Sequence, residues 1–354
     1  MNSPLTVFGA APTGERMERI LRSPNFRDGA FQNPVPSALM TTGLFWSSMR
    51  RQFFGGEQRV PPGPMPIVSL TAADFADPPT SGLRATWLGH STVLLEIDGY
   101  RVLIDPVWGL RASPSQLVGP RRFHPPPLPL SELPRLDAVI LTHDHYDHLD
   151  MAAVREIAAS PLQQHVQWIT TLGVGAHLER WKIGGSKVTE LDWGDSARIG
   201  SLSITAQPAR HFSGRFIKRN QTLWASWVIA GPRHCVFHSG DTGFFDGLAA
   251  TGERYGPFDL TMIKIGAYDA TWPDIHLDPE GAVRVHSMLR GAMLLPLHWG
   301  TFNLGFHAWD EPPERLLAAA SGANVRTMIA RPGQRVEPAS PPVPDPWWRN
   351  IPSS

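Results

Sequence analysis

The chain reads as an α/β layered domain, with two sheets covered by helices, on three observations. Short β-rich runs come first, helices then intervene, and that order partly repeats in the second half. One run, at 138–142, is continuously apolar, as expected of a strand buried on both faces. The 354 residues suffice for one large domain or two smaller ones, with room for a sizeable core.

Residues 1–82 stand apart, because they hold 11 prolines and few periodic segments. The stretch Pro61-Pro62-Gly63-Pro64-Met65-Pro66 is extended or polyproline-like. Within 39–54, helical spacing brings Leu39, Phe45, Trp46, Met49 and Phe53 to one side, with Arg50 and Arg51 near the end. Such a helix has two uses: docking on the domain's own core, or lying on a membrane surface. From residue 83 the pattern changes. Strands are predicted at 84–88, 92–97 and 101–104, with Asp98-Gly99 as a hairpin turn. A helix follows the apolar run at 150–159. Further strands are predicted at 166–170, 187–191, 202–207, 224–230, 233–238, 259–265, 292–295 and 325–329. Further helices are predicted at 173–181, 279–290 and 313–321. Asp278 suits the N-cap of the helix at 279–290 and Pro279 its first turn. These boundaries divide the chain into an N-terminal extension (1–82), a main domain (83–335) and a C-terminal tail (336–354).

Composition excludes several functions. The 32 basic and 32 acidic residues cancel, so no nucleic-acid partner is expected. A single cysteine, Cys235, excludes an internal disulfide and a multi-thiolate zinc site, and its place in a strand points to the core. No apolar run is long enough to span a bilayer. The first sixteen residues lack a basic start followed by an apolar core, so no signal peptide and a cytoplasmic setting are expected.

The strongest chemical signal is Thr142-His143-Asp144-His145-Tyr146-Asp147-His148, directly after the apolar strand. Histidine is the commonest transition-metal ligand and carboxylate its usual companion. His143 and His145 alternate, so both imidazoles can face one way, while Asp147 and His148 can reach a second ion from the turn. His211, Asp241 and His298 each follow a predicted strand and open a loop, where catalytic groups collect.

The H-x-H-x-D-H run followed by His, Asp and His resembles the metallo-β-lactamase-fold hydrolases. Ala85-Thr86-Trp87-Leu88-Gly89-His90-Ser91-Thr92, Gly119-Pro120-Arg121-Arg122-Phe123, Ile265-Gly266-Ala267-Tyr268 and His298-Trp299-Gly300-Thr301-Phe302 are similar to strings of the N-acyl-phosphatidylethanolamine-hydrolysing phospholipases D and their bacterial relatives. The resemblance covers roughly residues 83–320 and implies a four-layer αβ/βα sandwich with a metal pair at one edge of the sheets. It implies two zinc ions, the first on His143, His145 and His211, the second on Asp147, His148 and His298. Asp241 and a water or hydroxide would bridge them. Manganese or iron suits the same donors. Trp299 and Asp144 would support the ligands from behind.

The implied reaction is attack of the bridging hydroxide on a phosphodiester, giving phosphatidic acid and an N-acylethanolamine. Asp147 would orient the nucleophile, and His276 would protonate the leaving oxygen or contact the phosphate. The chain departs from the mammalian pattern here: the loop from Tyr268 to His276 is about two residues shorter, and Ile275 replaces an expected polar residue. Arg121, Arg122 and Arg215 are expected either on the phosphate or on solvated surface. His90 is expected either as a structural hydrogen-bonding group or as support for the ligands. Partners implied are a phospholipid and peripheral contact with the inner face of the membrane, and a homodimer is compatible with the sequence. A lactonase or small-molecule phosphodiesterase on the same metal pair is the alternative activity.

Overall fold

A computed structural model describes residues 4–39, 50–51 and 54–352. A short hairpin, β1 (Phe26–Arg27) and β2 (Ala30–Phe31), precedes the main strands. Two sheets follow. The first is built from β3 (Leu83–Gly89), β4 (Thr92–Ile97), β5 (Tyr100–Ile104), β6 (Ala138–Ile140), β7 (Gln167–Thr171) and β8 (Val188–Leu191). The second uses β9 (Ser196–Ile199), β10 (Leu202–Gln207), β11 (Ser226–Ala230), β12 (Cys235–His238), β13 (Leu260–Lys264) and β14 (Leu294–Leu297). A last strand, β15 (Arg335–Val336), returns to the first sheet, whose order is β15-β3-β4-β5-β6-β7-β8; the second runs β14-β13-β12-β11-β10-β9.

Alternation along the strands explains the layering. In β4, Val93, Leu95 and Ile97 face the core between the sheets, and Leu94 faces outward. In β5, Val102 and Ile104 point inward and Leu103 outward; in β6, Ala138 and Ile140 inward and Val139 outward. A strand with apolar residues on both faces needs cover on both. Helices α2 (Met151–Ala159) and α3 (Gly175–Arg180) supply it on the first sheet through Val154, Ile157 and Leu178. On the second sheet the cover is α4 (Leu248–Tyr255), α5 (Pro279–Met288) and α6 (Glu311–Gly322), through Leu248, Val283, Val285 and Leu316. The result is the four-layer αβ/βα sandwich. Asp278 caps α5 by accepting from Gly281 N at 2.7 Å, with Pro279 in the first turn.

Several expectations need correction. No strand forms at 325–329. Thr327 makes only an isolated bridge to Leu294, so the segment adds one rung beside β14. The stretch before residue 83 was expected to carry little periodic structure, yet α1 (Gly14–Arg22) forms there. Its Ile20 is buried with Phe31, Leu172, Ala209, Leu223 and Trp224. Beyond residue 335, Val336 pairs with Ala85, and Trp347 and Trp348 are buried against Trp299. Cys235 opens β12 half-buried, rather than lying deep in the core. Most of the apolar helix expected at 39–54 lies outside the described residues.

Candidate metal centre

Strand direction gathers the chemistry at one edge. In the first sheet β3, β5 and β6 run the same way, so His90, Asp105 and the loop 142–149 all emerge together. In the second sheet His211 follows β10, Asp241 follows β12 and His298 follows β14. Several of these turns hold non-glycine residues in the left-handed region: His90 (φ 52°), Asp105 (φ 45°), Ala267 (φ 59°) and His298 (φ 64°). Such strain persists only where the surroundings over-determine it, and it clusters at functional sites.

The side chains meet as two overlapping groups. His145 Nδ1 lies 2.9 Å from His143 Nε2 and 3.2 Å from His211 Nε2. Asp147 Oδ2 lies 3.4 Å from His298 Nε2 and 3.5 Å from His148 Nε2. Asp241 Oδ2 sits between the groups, 3.1 Å from His298 Nε2, 3.3 Å from His148 Nε2 and 3.7 Å from His211 Nε2. Among the described residues, Nε2 of His148, Nε2 of His298 and Oδ1 of Asp241 are buried with no hydrogen-bond partner. An unsatisfied buried polar atom costs about 1–3 kcal/mol. Two such nitrogens beside Asp241 Oδ2, with the other oxygen of that carboxylate also unpartnered, fit a pair of cations. The donor set, imidazole and carboxylate without sulfur, is that of a catalytic metal site.

Groups behind the ligands fix which nitrogen faces inward. Asp105 is fully buried; its Oδ2 accepts from His148 Nδ1 at 2.7 Å and from Thr142 Oγ1 at 2.7 Å, and its Oδ1 from Thr142 N at 2.8 Å. The Thr142 hydroxyl, having donated to Asp105, accepts from His143 Nδ1 at 2.9 Å. His211 Nδ1 donates to Ile275 O at 3.0 Å. His143, His148 and His211 therefore carry a proton on Nδ1 and present Nε2 to the site, whereas His145 presents Nδ1. At position 275 the carbonyl does the work, so the apolar side chain there is no loss.

Electrostatics divide the ligands: burial opposes a charge on His148, yet Asp241, Asp147 and Asp105 hold it well above the ordinary imidazole value, so a cation there must displace a proton. Burial, with neighbouring His148, His145 and His211, holds His143 well below the ordinary imidazole value. Burial also lowers His211, against the pull of Asp241. Both stand neutral, the ligating form. Burial alone would raise Asp241, but His298, His148 and Lys264 hold it well below the usual carboxylate range.

His276 stands at the edge of the cluster, with Nε2 3.6 Å from Asp241 Oδ2 and Nδ1 buried without a partner among the described residues. It borders a cavity of about 580 Å³, also lined by Phe244, Tyr268, Arg284 and Arg315.

The arginines divide differently from expectation. Arg121 is exposed. Arg122 and Arg215 are both buried and held by backbone carbonyls, with Nη1 of Arg122 left without a partner among the described residues. Arg122 donates to Val107 O at 2.6 Å and Gly109 O at 3.2 Å. Arg215 donates to Asp144 O at 2.7 Å and Leu149 O at 2.8 Å. Trp299 stacks on Trp87 at 5.7 Å in the core, and no bond from its indole to a ligand is formed among the described residues. Asp144 turns outward, accepting from Gly214 N at 2.7 Å and Thr222 Oγ1 at 2.9 Å, which pins the loop after His211. The supporting role falls instead to Asp105, which sequence reasoning missed. Its only signal was an aspartate ending a strand just before a proline.

Comparison with known proteins agrees with this geometry. Residues 100–299 match the β-lactamase superfamily domain. An uncharacterized protein of Mycobacterium tuberculosis is 47% identical over 337 residues, 93% of this chain and 88% of that one. The N-acyl-phosphatidylethanolamine-hydrolyzing phospholipase D 1 of Caenorhabditis elegans is 39% identical over 272 residues, 73% of this chain and 75% of that one. Among solved structures, the metallo hydrolase Igni18 of Ignicoccus hospitalis shares the fold at a TM-score of 0.55 and 24% identity, covering 72% of this chain and 97% of that one. The chain belongs to the metallo-β-lactamase superfamily of metal-dependent hydrolases and resembles its N-acyl-phosphatidylethanolamine-hydrolysing phospholipases D.

Proposed function

We propose that this metal-dependent hydrolase is a dinuclear zinc phosphodiesterase of the phospholipase D type. It cleaves N-acyl-phosphatidylethanolamine-like lipids to phosphatidic acid and an N-acylethanolamine, at the inner face of the membrane. The similarity to the nematode phospholipase supports the reaction. The observation that carries the lipid reading is the rim of the site.

Two loops leave the edge that bears the ligands, after β5 and after β10. The first exposes Leu117 and Val118, the second Phe216 and Ile217, with relative exposures of 86%, 65%, 64% and 81%. Arg111 and Arg121 flank the first pair, and Lys218 and Arg219 follow the second. No acidic residue occurs between 106 and 131 or between 196 and 240, in a chain with 32 of them. Apolar tips set among cations suit the interface of an anionic bilayer. Among the described residues no helix is long and apolar enough to cross a membrane.

Two zinc ions, when bound, would lower the pKa of a shared water and stabilise charge on the phosphoryl oxygens. The chain's own residues do the rest. Asp241 joins the two halves of the cluster, and Asp147 orients the attacking water through its carboxylate. His276, between cluster and cavity, contacts the phosphate or hands a proton to the leaving oxygen.

A phospholipid extract treated with the enzyme and analysed by lipid mass spectrometry tests this. Wild type should deplete the N-acyl-phosphatidylethanolamines and raise both products, while Asp147→Asn should do neither. Depletion of another lipid class, or of none, would refute the reading. The cavity beside His276, with Arg284 and Arg315 on its wall, favours a second reading, a water-soluble phosphodiester or lactone. Turnover of bis(nitrophenyl) phosphate and of a lactone, with and without detergent, separates the two.

A further inference from the structure

We propose that His90 is a positioning residue that clamps the Asp147 carboxylate and so completes the second metal position. It rests on the two-metal reading above. His90 Nε2 donates to Asp147 Oδ2 at 2.9 Å, across 57 residues of sequence. That oxygen is the one facing His148 and His298. The His90 ring also packs at 3.9 Å on the His298 ring and meets Phe302 edge-on at 5.3 Å.

Its backbone is held as firmly as its side chain. His90 N donates to Thr301 Oγ1 at 2.7 Å, and His90 O accepts from His298 N at 2.9 Å and from Trp87 Nε1 at 2.7 Å. One residue thereby ties the loop bearing Asp147 to the loop bearing His298. The tip is built for this purpose. Register shifts between Trp87 and Gly89, and Gly89 takes φ 107° where a Cβ would meet His124 at 2.9 Å. The kink drives His90 into the left-handed region and points its imidazole at the site. An ordinary hairpin turn would place glycine or asparagine there at lower cost. The retained strain therefore serves the imidazole.

Three variants test this: His90→Gln, His90→Ala and His90→Gly. Gln keeps an N–H donor at the reach of Nε2, whereas Gly removes the imidazole and relieves the backbone strain. Zinc content by plasma mass spectrometry and a competitive zinc titration are the readouts, with circular dichroism confirming that each metal-free variant is folded. Wild type should bind two ions. Ala and Gly should each weaken one of the two by about 10–100-fold, and Gln should return it to within a few-fold of wild type. Wild-type affinities in His90→Gly would overturn the proposal and leave the residue a mere turn former. Loss in His90→Gln equal to that in Ala would also overturn it, making His90 itself a ligand. Wild type failing to bind two ions would strike the two-metal reading instead.

Discussion

Asp105→Asn is the sharpest perturbation of the supporting network, because it removes a charge and almost no volume. The carboxylate receives three hydrogen bonds, from His148 Nδ1, Thr142 Oγ1 and Thr142 N. A carboxamide offers one oxygen. If that oxygen keeps Thr142 N, its NH2 group confronts two other donors. His148 must then shift its proton to Nε2, the atom the ion needs, and the Thr142 hydroxyl must turn, which frees His143 as well. Loss of such a partner costs about 10–100-fold in metal affinity, or roughly 1.4–2.7 kcal/mol. The metal-free fold also loses charge-assisted bonds of about 1.5–3 kcal/mol each for neutral ones of about 0.5–1.5. Competition against a chelator of known zinc affinity measures the first effect, and urea unfolding of the stripped protein the second. Unchanged affinity for both ions would refute the tautomer argument.

Other outcomes follow from the same structure. Burial pushes the Cys235 thiol up to about 12, so at pH 8 it is protonated. Iodoacetamide should react with it slowly in the native protein and fast in denaturant; equal rates would place the thiol in solvent. Glu96 is buried against Arg84 at 2.5 Å, so Glu96→Ala removes the buried guanidinium's near carboxylate and leaves it Asp77 O at 3.0 Å and Glu337 at 3.8 Å. That should cost up to about 3–5 kcal/mol in urea unfolding, and Arg84→Met with Glu96→Leu should recover most of it, short of the Arg101–Glu96 contact at 3.4 Å. Phe216→Ser with Ile217→Ser should weaken sedimentation with phosphatidylglycerol vesicles and leave bis(nitrophenyl) phosphate turnover intact. Unchanged sedimentation would remove the rim from the account.

What the sequence disclosed and what it hid divide along a physical line. His143, His145, Asp147 and His148 share one short run, and a strand end before it is written in four apolar residues and a threonine. Density of ligands and local periodicity are properties of neighbours in sequence. Asp105 and His90 act across 43 and 57 residues. Each depends on a left-handed backbone that side-chain patterns do not announce in a non-glycine residue. Arg122 and Arg215 misled because charge is visible and burial is not: the carbonyls that hold them belong to loops whose path no periodicity fixes. The strand expected at 325–329 has β-rich composition, but only one rung finds a partner beside β14. α1 went unseen because its apolar face is only Met17 and Ile20 in nine residues, so the segment reads as charged surface although its pattern is amphipathic. Trp347 and Trp348 likewise gain their meaning only from Trp299, far away in the chain.

The most direct measurement is the number of metal ions held per folded chain, after equilibration with zinc at neutral pH and removal of free ion. Two ions in wild type, falling below one in Asp241→Asn because that carboxylate faces both halves of the cluster, is the expected result. A folded chain that retains no ion, or one whose metal content ignores Asp241, would contradict the account.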